Sequence, residues 1–144
     1  MTPPNRFLQL LALLPAMLPA VLPAATPDAE LDWTLRVLQA INETRQAQGL
    51  GVLQPSADLQ AIAQNHSRAM AAQGRLTHAG FQARFDRTTS DLCVENVASG
   101  TTRPATLVAA WQRAPQHRRN LYEPRLRWAG LAGVDGFVTL FACE

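Results

Sequence analysis

The chain contains no lysine; all 13 of its basic residues are arginine. Schiff-base chemistry, a P-loop lysine and a serine–lysine dyad are therefore excluded. Cysteine is nearly as scarce. Cys93 and Cys143 are the only two, too few for a four-cysteine zinc site or a dense disulfide scaffold. The sequence also lacks a dinucleotide glycine fingerprint, a Walker loop, an H-E-x-x-H helix and a G-x-S-x-G elbow. Nor does one sign of charge dominate: 13 basic against 11 acidic residues leave +2, so this is no dedicated nucleic-acid binder. What is present is a 144-residue chain, 47% hydrophobic and 17% charged, the composition of one globular domain.

Residues 1–25 read as a targeting segment. Arg6 precedes an apolar stretch over residues 7–22, and small residues follow at Ala24 and Ala25. That is the order of a secretory signal peptide, removed near Ala24 or Ala25. Pro15, Pro19 and Pro23 recur every four residues and would break a spanning helix. The run is also short for a bilayer, so no stable membrane anchor is expected. The expectation is a single domain over residues 26–144, secreted or periplasmic. In an oxidising compartment Cys93 and Cys143 are a natural disulfide pair; two buried thiols are the alternative.

Thr26 and Pro27 read as an N-cap followed by proline at the first helical position. Leu31, Leu35, Leu38 and Ile41 then recur at helical spacing, widened by Trp33 and Val37, and Gly49 suits the stop. Ser56 caps a second helix with Leu59, Ile62, Ala63, His66 and Met70 on one stripe, ended by Gly74. Residues 75–90 are polar and irregular, with a short helix at Phe81–Phe85. Residues 91–98 read as a strand, residues 100–104 as a turn and residues 105–113 as a helix. Pro115–Leu121 reads as a helical turn. Two strands, Trp128–Val134 and Phe137–Cys143, flank Asp135-Gly136, a strong two-residue hairpin signal. Helices first and an antiparallel hairpin last argue for an α+β fold.

Few residues can carry chemistry. The histidines are His66, His78 and His117. His66 lies on the apolar stripe of its helix and reads as a structural core residue. His78 follows that helix in a loop, where a functional group is held yet exposed. If Val94 faces the core, strand alternation turns Glu95 to the other side. Two imidazoles and one carboxylate suit Zn²⁺ or another divalent ion with water in an open position, or acid/base chemistry near neutral pH. Spacing alone does not show that they converge.

An ordered set of short motifs resembles the CAP superfamily: the cysteine-rich secretory, antigen 5 and pathogenesis-related 1 proteins, or SCP domain. Asn42, Arg45, Gly49, Leu50 and Leu53 match the family's opening N-x-x-R-x-x-x-G-L-x-x-L. Leu59, Ala63, His66 and Met70 match its second helix, and His78 its loop histidine. Glu95 and Asn96 match its E-N pair. Trp111, Pro115, His117, Asn120 and Leu121 match the bacterial W-x-x-S-P-x-H-x-x-N-L segment. The resemblance implies a three-layer α-β-α sandwich with a small central antiparallel sheet. It also implies a surface cleft holding two histidines and two glutamates, of which His78, Glu95 and His117 supply three. Ala114 stands where plant and animal members carry the second glutamate. Asn96 is expected to tether a loop, and Trp111 to sit in the core.

These residues lead to one expectation and two alternatives. The first is a secreted or periplasmic binding module without robust catalysis, more a non-enzyme than an enzyme. Its cleft would hold a divalent metal, zinc before others, between His78 and His117, and a small molecule or lipid-like ligand. The second is a metal-dependent hydrolase of peptides or esters, with Glu95 and His117 activating water. The third is an interaction protein of the envelope or extracellular space with a vestigial cleft. Arg103, Arg113, Arg118, Arg119, Arg125 and Arg127 face only Glu123 in their stretch. They read first as a solvated basic face, and otherwise as an anion-binding patch.

Overall fold

The computed structural model describes residues 26–100 and 103–144. The signal-peptide expectation for residues 1–25 lies outside the described residues, as do two positions of the expected turn at 100–104.

Helix α1 spans Pro27–Ala47. The Thr26 hydroxyl accepts from the Ala29 amide at 3.3 Å, and Asp28 and Glu30 fall in the first turn, where negative charge favours the helix dipole. Its buried face runs Thr34, Val37, Leu38, Ile41 and Arg45. The expected stripe is therefore corrected at its N-terminal end: Leu31 is 59% and Leu35 48% exposed. At 3.6 residues per turn Leu35 sits to one side of the stripe, while Leu31 stands in line with buried Leu38 but before Thr34, the first residue that is covered; the face that meets the rest of the protein is completed by polar Thr34 and charged Arg45.

Strand β1 is only Gln54–Pro55, and it was not foreseen because two residues carry no period. Helix α2 spans Ala57–Gln73, capped by Ser56 and closed by left-handed Gly74. Helix α3 is Phe81–Phe85. Strand β2 is Cys93–Ser99, helix α4 Pro104–Arg113 and helix α5 Pro115–Leu121. Strands β3, Trp128–Val134, and β4, Phe137–Cys143, form the expected hairpin. Its turn residues Asp135 and Gly136 both take positive φ, 47° and 80°, as the two-residue turn that matches strand twist requires.

The sheet order is β1-β3-β4-β2. The pairings β3–β4 and β4–β2 are antiparallel, as expected. The short β1 runs parallel to β3, so the sheet as a whole is mixed.

Alternation divides the sheet's residues between two layers of helix. Leu131, Val138, Leu140 and Ala142 pack with Val37, Ile41, Leu107, Val108 and Trp111 of α1 and α4. Ala132, Phe141 and Cys143 pack with Leu59, Ile62 and Ala63 of α2. This is the three-layer α-β-α arrangement. Helix α2 lies so close to β3 that a Cβ on Gly130 would sit 2.0 Å from the Leu59 carbonyl carbon, a contact only glycine permits. Cys93 and Cys143 stand opposite each other in the β2–β4 register and form a disulfide.

The opening motif has a structural role. Arg45 is fully buried and donates to the carbonyls of Gly51, Leu121 and Glu123 at 2.7–3.0 Å. Asn42 exchanges two hydrogen bonds with the backbone of Leu53. Together they tie α1 to the β1 approach and to the chain after α5.

Candidate functional site

The site forms at the free edge of β2. An edge strand leaves alternate carbonyls unpaired, and here side chains take them. Asn120 Nδ2 donates to the Glu95 carbonyl at 3.1 Å, and Trp111 Nε1 to that of Val97 at 3.2 Å. Asn96 turns to the opposite face, accepts from Asn120 Nδ2 at 2.9 Å and donates to the His117 carbonyl at 3.0 Å. Asn96 thus holds a helix rather than the expected loop: its bonds seat α5, and with it His117, against the strand. Trp111 is 1% exposed and packs in the core, as expected.

Glu95 points to the α2 side, opposite Val94. Its side chain is 1% exposed. A buried carboxylate demands partners, and it has three cationic or imidazole neighbours. Arg84 Nε donates to Oε2 at 2.7 Å and Arg84 Nη2 to Oε1 at 2.8 Å. His78 Nδ1 donates to Oε1 at 2.9 Å. His66 Nε2 lies 3.6 Å from Oε1, beyond hydrogen-bond range. It is bonded instead to the Thr77 carbonyl at 2.8 Å, and since a carbonyl only accepts, that nitrogen carries the proton.

Arg84 is the member that sequence reasoning missed. It also donates to the carbonyls of Ala79 and His78, so one guanidinium holds both the carboxylate and the loop carrying His78. Its placement follows from a contact that only the fold makes. Phe81 packs on Phe141, with ring centroids 5.8 Å apart, and Arg84 lies three positions further along α3, on the same side of the helix.

The structure brings His78, Glu95 and His117 to one place, but not as equals. Glu95 is bonded to His78, while His117 makes no bond to either and its ring centroid lies 6.3 Å from that of His78. His78 is half-exposed and His117 half-buried. Burial, and secondarily the His78 charge, hold His117 below the ordinary imidazole value. Burial lowers His66 as well, against the raising influence of Glu95. Ala114, between α4 and α5, brings no carboxylate.

The donor set can be weighed for a metal. Among the described residues no group of three or more His, Cys, Asp or Glu is placed to hold an ion. Both Glu95 oxygens are occupied, and the Arg84 charge offsets that of Glu95. The nitrogens left to an ion are His78 Nε2 and the His117 ring, a pair of imidazole donors that fits an ion completed largely by solvent or by a ligand.

The fold, the capped β2 edge and the E-N pair define a class, and comparison with known proteins agrees. Residues 38–137 match the CAP model, the cysteine-rich secretory protein family. The chain belongs to this family. It is 29% identical over 107 residues to YkwD of Bacillus subtilis, an alignment covering 69% of this chain and 42% of that protein. The fold is shared with an extracellular SCP-domain protein of Bacillus anthracis, at TM-score 0.76 and 21% identity over 85% of this chain and 45% of that one. It is shared also with an outer surface protein of Borrelia burgdorferi, at TM-score 0.65 and 24% identity over 75% of this chain and 90% of that one. The chain thus spans under half the length of its Bacillus relatives.

Proposed function

We propose that this chain is an exported, non-catalytic binding module whose ligand site is the opening between His78 and His117. One observation carries the reading: both oxygens of Glu95 already accept hydrogen bonds, from Arg84 and from His78. A carboxylate so engaged is poorly placed to take a proton from water. Its use is to fix His78, with Nδ1 turned inward and Nε2 turned to the opening, the arrangement by which a carboxylate orients a ligating imidazole.

His117, held neutral at neutral pH, presents a lone pair beside it. Such a pair suits a weakly held divalent ion, zinc first on the preference of imidazole. When bound, the ion would supply a Lewis-acidic point of attachment for an oxygen of a small ligand or lipid headgroup. Export is supported by the extracellular and outer-surface relatives in fold, and no helix among the described residues is long and apolar enough to cross a membrane.

The hydrolase reading has one observation in its favour. A buried carboxylate bonded to a half-exposed imidazole is the pairing that orients a general base. In that form the base is His78 rather than His117.

The test is the melting temperature of the disulfide-bonded protein against Zn²⁺, Mg²⁺ and Ca²⁺, repeated on His78→Ala and His117→Ala. An ion at about 100 times its Kd adds about 2.7 kcal/mol of stability. A rise lost in both variants supports the metal-holding cleft. No rise with any ion removes the metal and leaves the interaction module. Cleavage of peptide or ester substrates, lost in a folded Glu95→Gln variant, overturns the non-catalytic reading.

A further inference from the structure

A second recess lies away from the cleft, beside the disulfide. Trp128 opens β3 opposite Cys143, on the sheet face that α2 covers. Its side chain is not covered: Trp128 is 47% exposed. The indole forms one wall of a cavity of about 200 Å³. Leu59 and Ile62 line its apolar part, and Asp58, Arg87 and Thr89 supply polar groups. Among the described residues the side chains of Asp58, Arg87 and Thr89 and the Trp128 indole N–H take no hydrogen-bond or ion-pair partner.

The frame around these free groups is tied down. Ser90 Oγ donates to the Glu144 carbonyl, and the Asp91 amide to Glu144 Oε1. Thr88 Oγ1 donates to the Phe85 carbonyl, and the Cys93–Cys143 disulfide joins the strands beneath. A recess built on such a frame loses little entropy when it takes a ligand.

We propose that this recess binds a single pyranose ring of a glycan. A pyranose has C–H bonds on one face and hydroxyls around its rim. The electron-rich face of an indole attracts polarised hydrogen, so Trp128 supplies the platform. Each sugar hydroxyl both donates and accepts. The recess offers an acceptor at Asp58, a donor fork at Arg87 and a hydroxyl that does either at Thr89.

Other ligand classes fit less well. The Asp58 carboxylate opposes a phosphate. A nucleobase is best held between two flat walls, and there is one. The volume lies below the range of drug-sized sites, which suits one ring rather than an acyl chain. This site shares no residue with the histidine cleft and stands or falls independently of it.

The experiment is a titration of the disulfide-bonded, ¹⁵N-labelled protein with glucose, galactose, mannose, N-acetylglucosamine and glucuronate, each read at the indole N–H resonances. Inorganic phosphate and adenosine serve as competing chemistries. The expected result is a saturable, millimolar shift of the Trp128 indole with at least one sugar, while the indole of buried Trp111 stays still. Trp128→Ala should weaken that binding by about tenfold or more, and Trp128→Phe by about threefold. Asp58→Asn should weaken it while the protein stays folded, with only the small fall in melting temperature that losing the α2 first-turn charge entails. The proposal is overturned by any of three outcomes: no saturable shift with any sugar, equal affinity in a folded Trp128→Ala variant, or tighter binding of phosphate or adenosine than of every sugar.

Discussion

Arg84 grips Glu95 with two nitrogens, Nε to one oxygen at 2.7 Å and Nη2 to the other at 2.8 Å, around a carboxylate that is 1% exposed. Such a fork gives both strength and geometry. Removing the guanidinium strands a buried negative charge. Arg84→Ala is therefore expected to cost about 3 kcal/mol in urea unfolding. The double variant Arg84→Ala, Glu95→Gln should recover part of that loss, because the stranded charge goes with it. Arg84→Lys keeps the charge but loses the fork, and should fall between the single variant and wild type. Strict additivity in this cycle would mean that the pair is not coupled.

Gly130 is where α2 touches the sheet. Its added Cβ would meet the Leu59 carbonyl carbon at 2.0 Å and the Gln60 amide nitrogen at 2.2 Å. Backbone atoms cannot step aside as a side-chain tip can. Gly130→Ala should destabilise by about 3 kcal/mol or more, at the upper end of overpacking costs. Gly133→Ala is the contrast. Its nearest atom is the end of the Trp33 ring at 3.3 Å, which can tilt. Thermal melts of the two variants should differ clearly, with Gly133→Ala the milder.

The Cys93–Cys143 disulfide closes a separation of 50 residues. Chain-entropy arguments place the stabilisation from a loop of that size at about 4 kcal/mol. Unfolding in denaturant with and without reductant should show a midpoint loss of that order, and Cys93→Ser with Cys143→Ser should reproduce the reduced protein. An unchanged midpoint on full reduction would refute the estimate.

Two histidines make stability depend on pH. Burial lowers His66, and burial followed by the His78 charge lowers His117. The folded state thus takes up protons less readily than the unfolded chain. The window opens at the ordinary imidazole value of 6.5 and extends downward. Across it the unfolded state binds more protons, so stability falls as the solution is acidified. Above it these two groups contribute no slope. Melting temperature should decline from about pH 7 to about pH 5, and His66→Gln should flatten the decline. A wild-type profile flat across that range, or one rising toward acid, contradicts the assignment.

Much of the fold is legible in the chain because it is local. The α1 and α2 caps, Gly74 at the α2 stop and the Asp135-Gly136 turn each act within a few residues of backbone. Strands β3 and β4 carry their boundaries in their turn. Strand β1 was not legible. Its two residues pair with β3 only because α1 and α2 bring them there, with the Gln54 amide donating to the Arg127 carbonyl at 2.7 Å. The exposure of Leu31 and Leu35 was hidden for a related reason. Hydrophobic spacing marks a helix, but which side of it is covered depends on what packs there.

The site divides along the same line. Residue type and order placed His78, Glu95 and His117 among the candidates, and family resemblance grouped them. Only the tertiary structure decided that Glu95 is bonded to Arg84 and His78 rather than shared evenly, that Asn96 and Asn120 seat α5 on the β2 edge, and that Trp128 is left open beside a recess. The sequence by itself determined the helix caps, the hairpin turn and the identities of the polar side chains, since these act over neighbouring residues. The partners of a buried carboxylate, the contact that demands glycine at position 130 and the exposure of an indole arise between separate elements, 11 and 17 positions apart for Glu95 with Arg84 and His78 and far more for Gly130 with Leu59. They are set by packing, which no local pattern encodes.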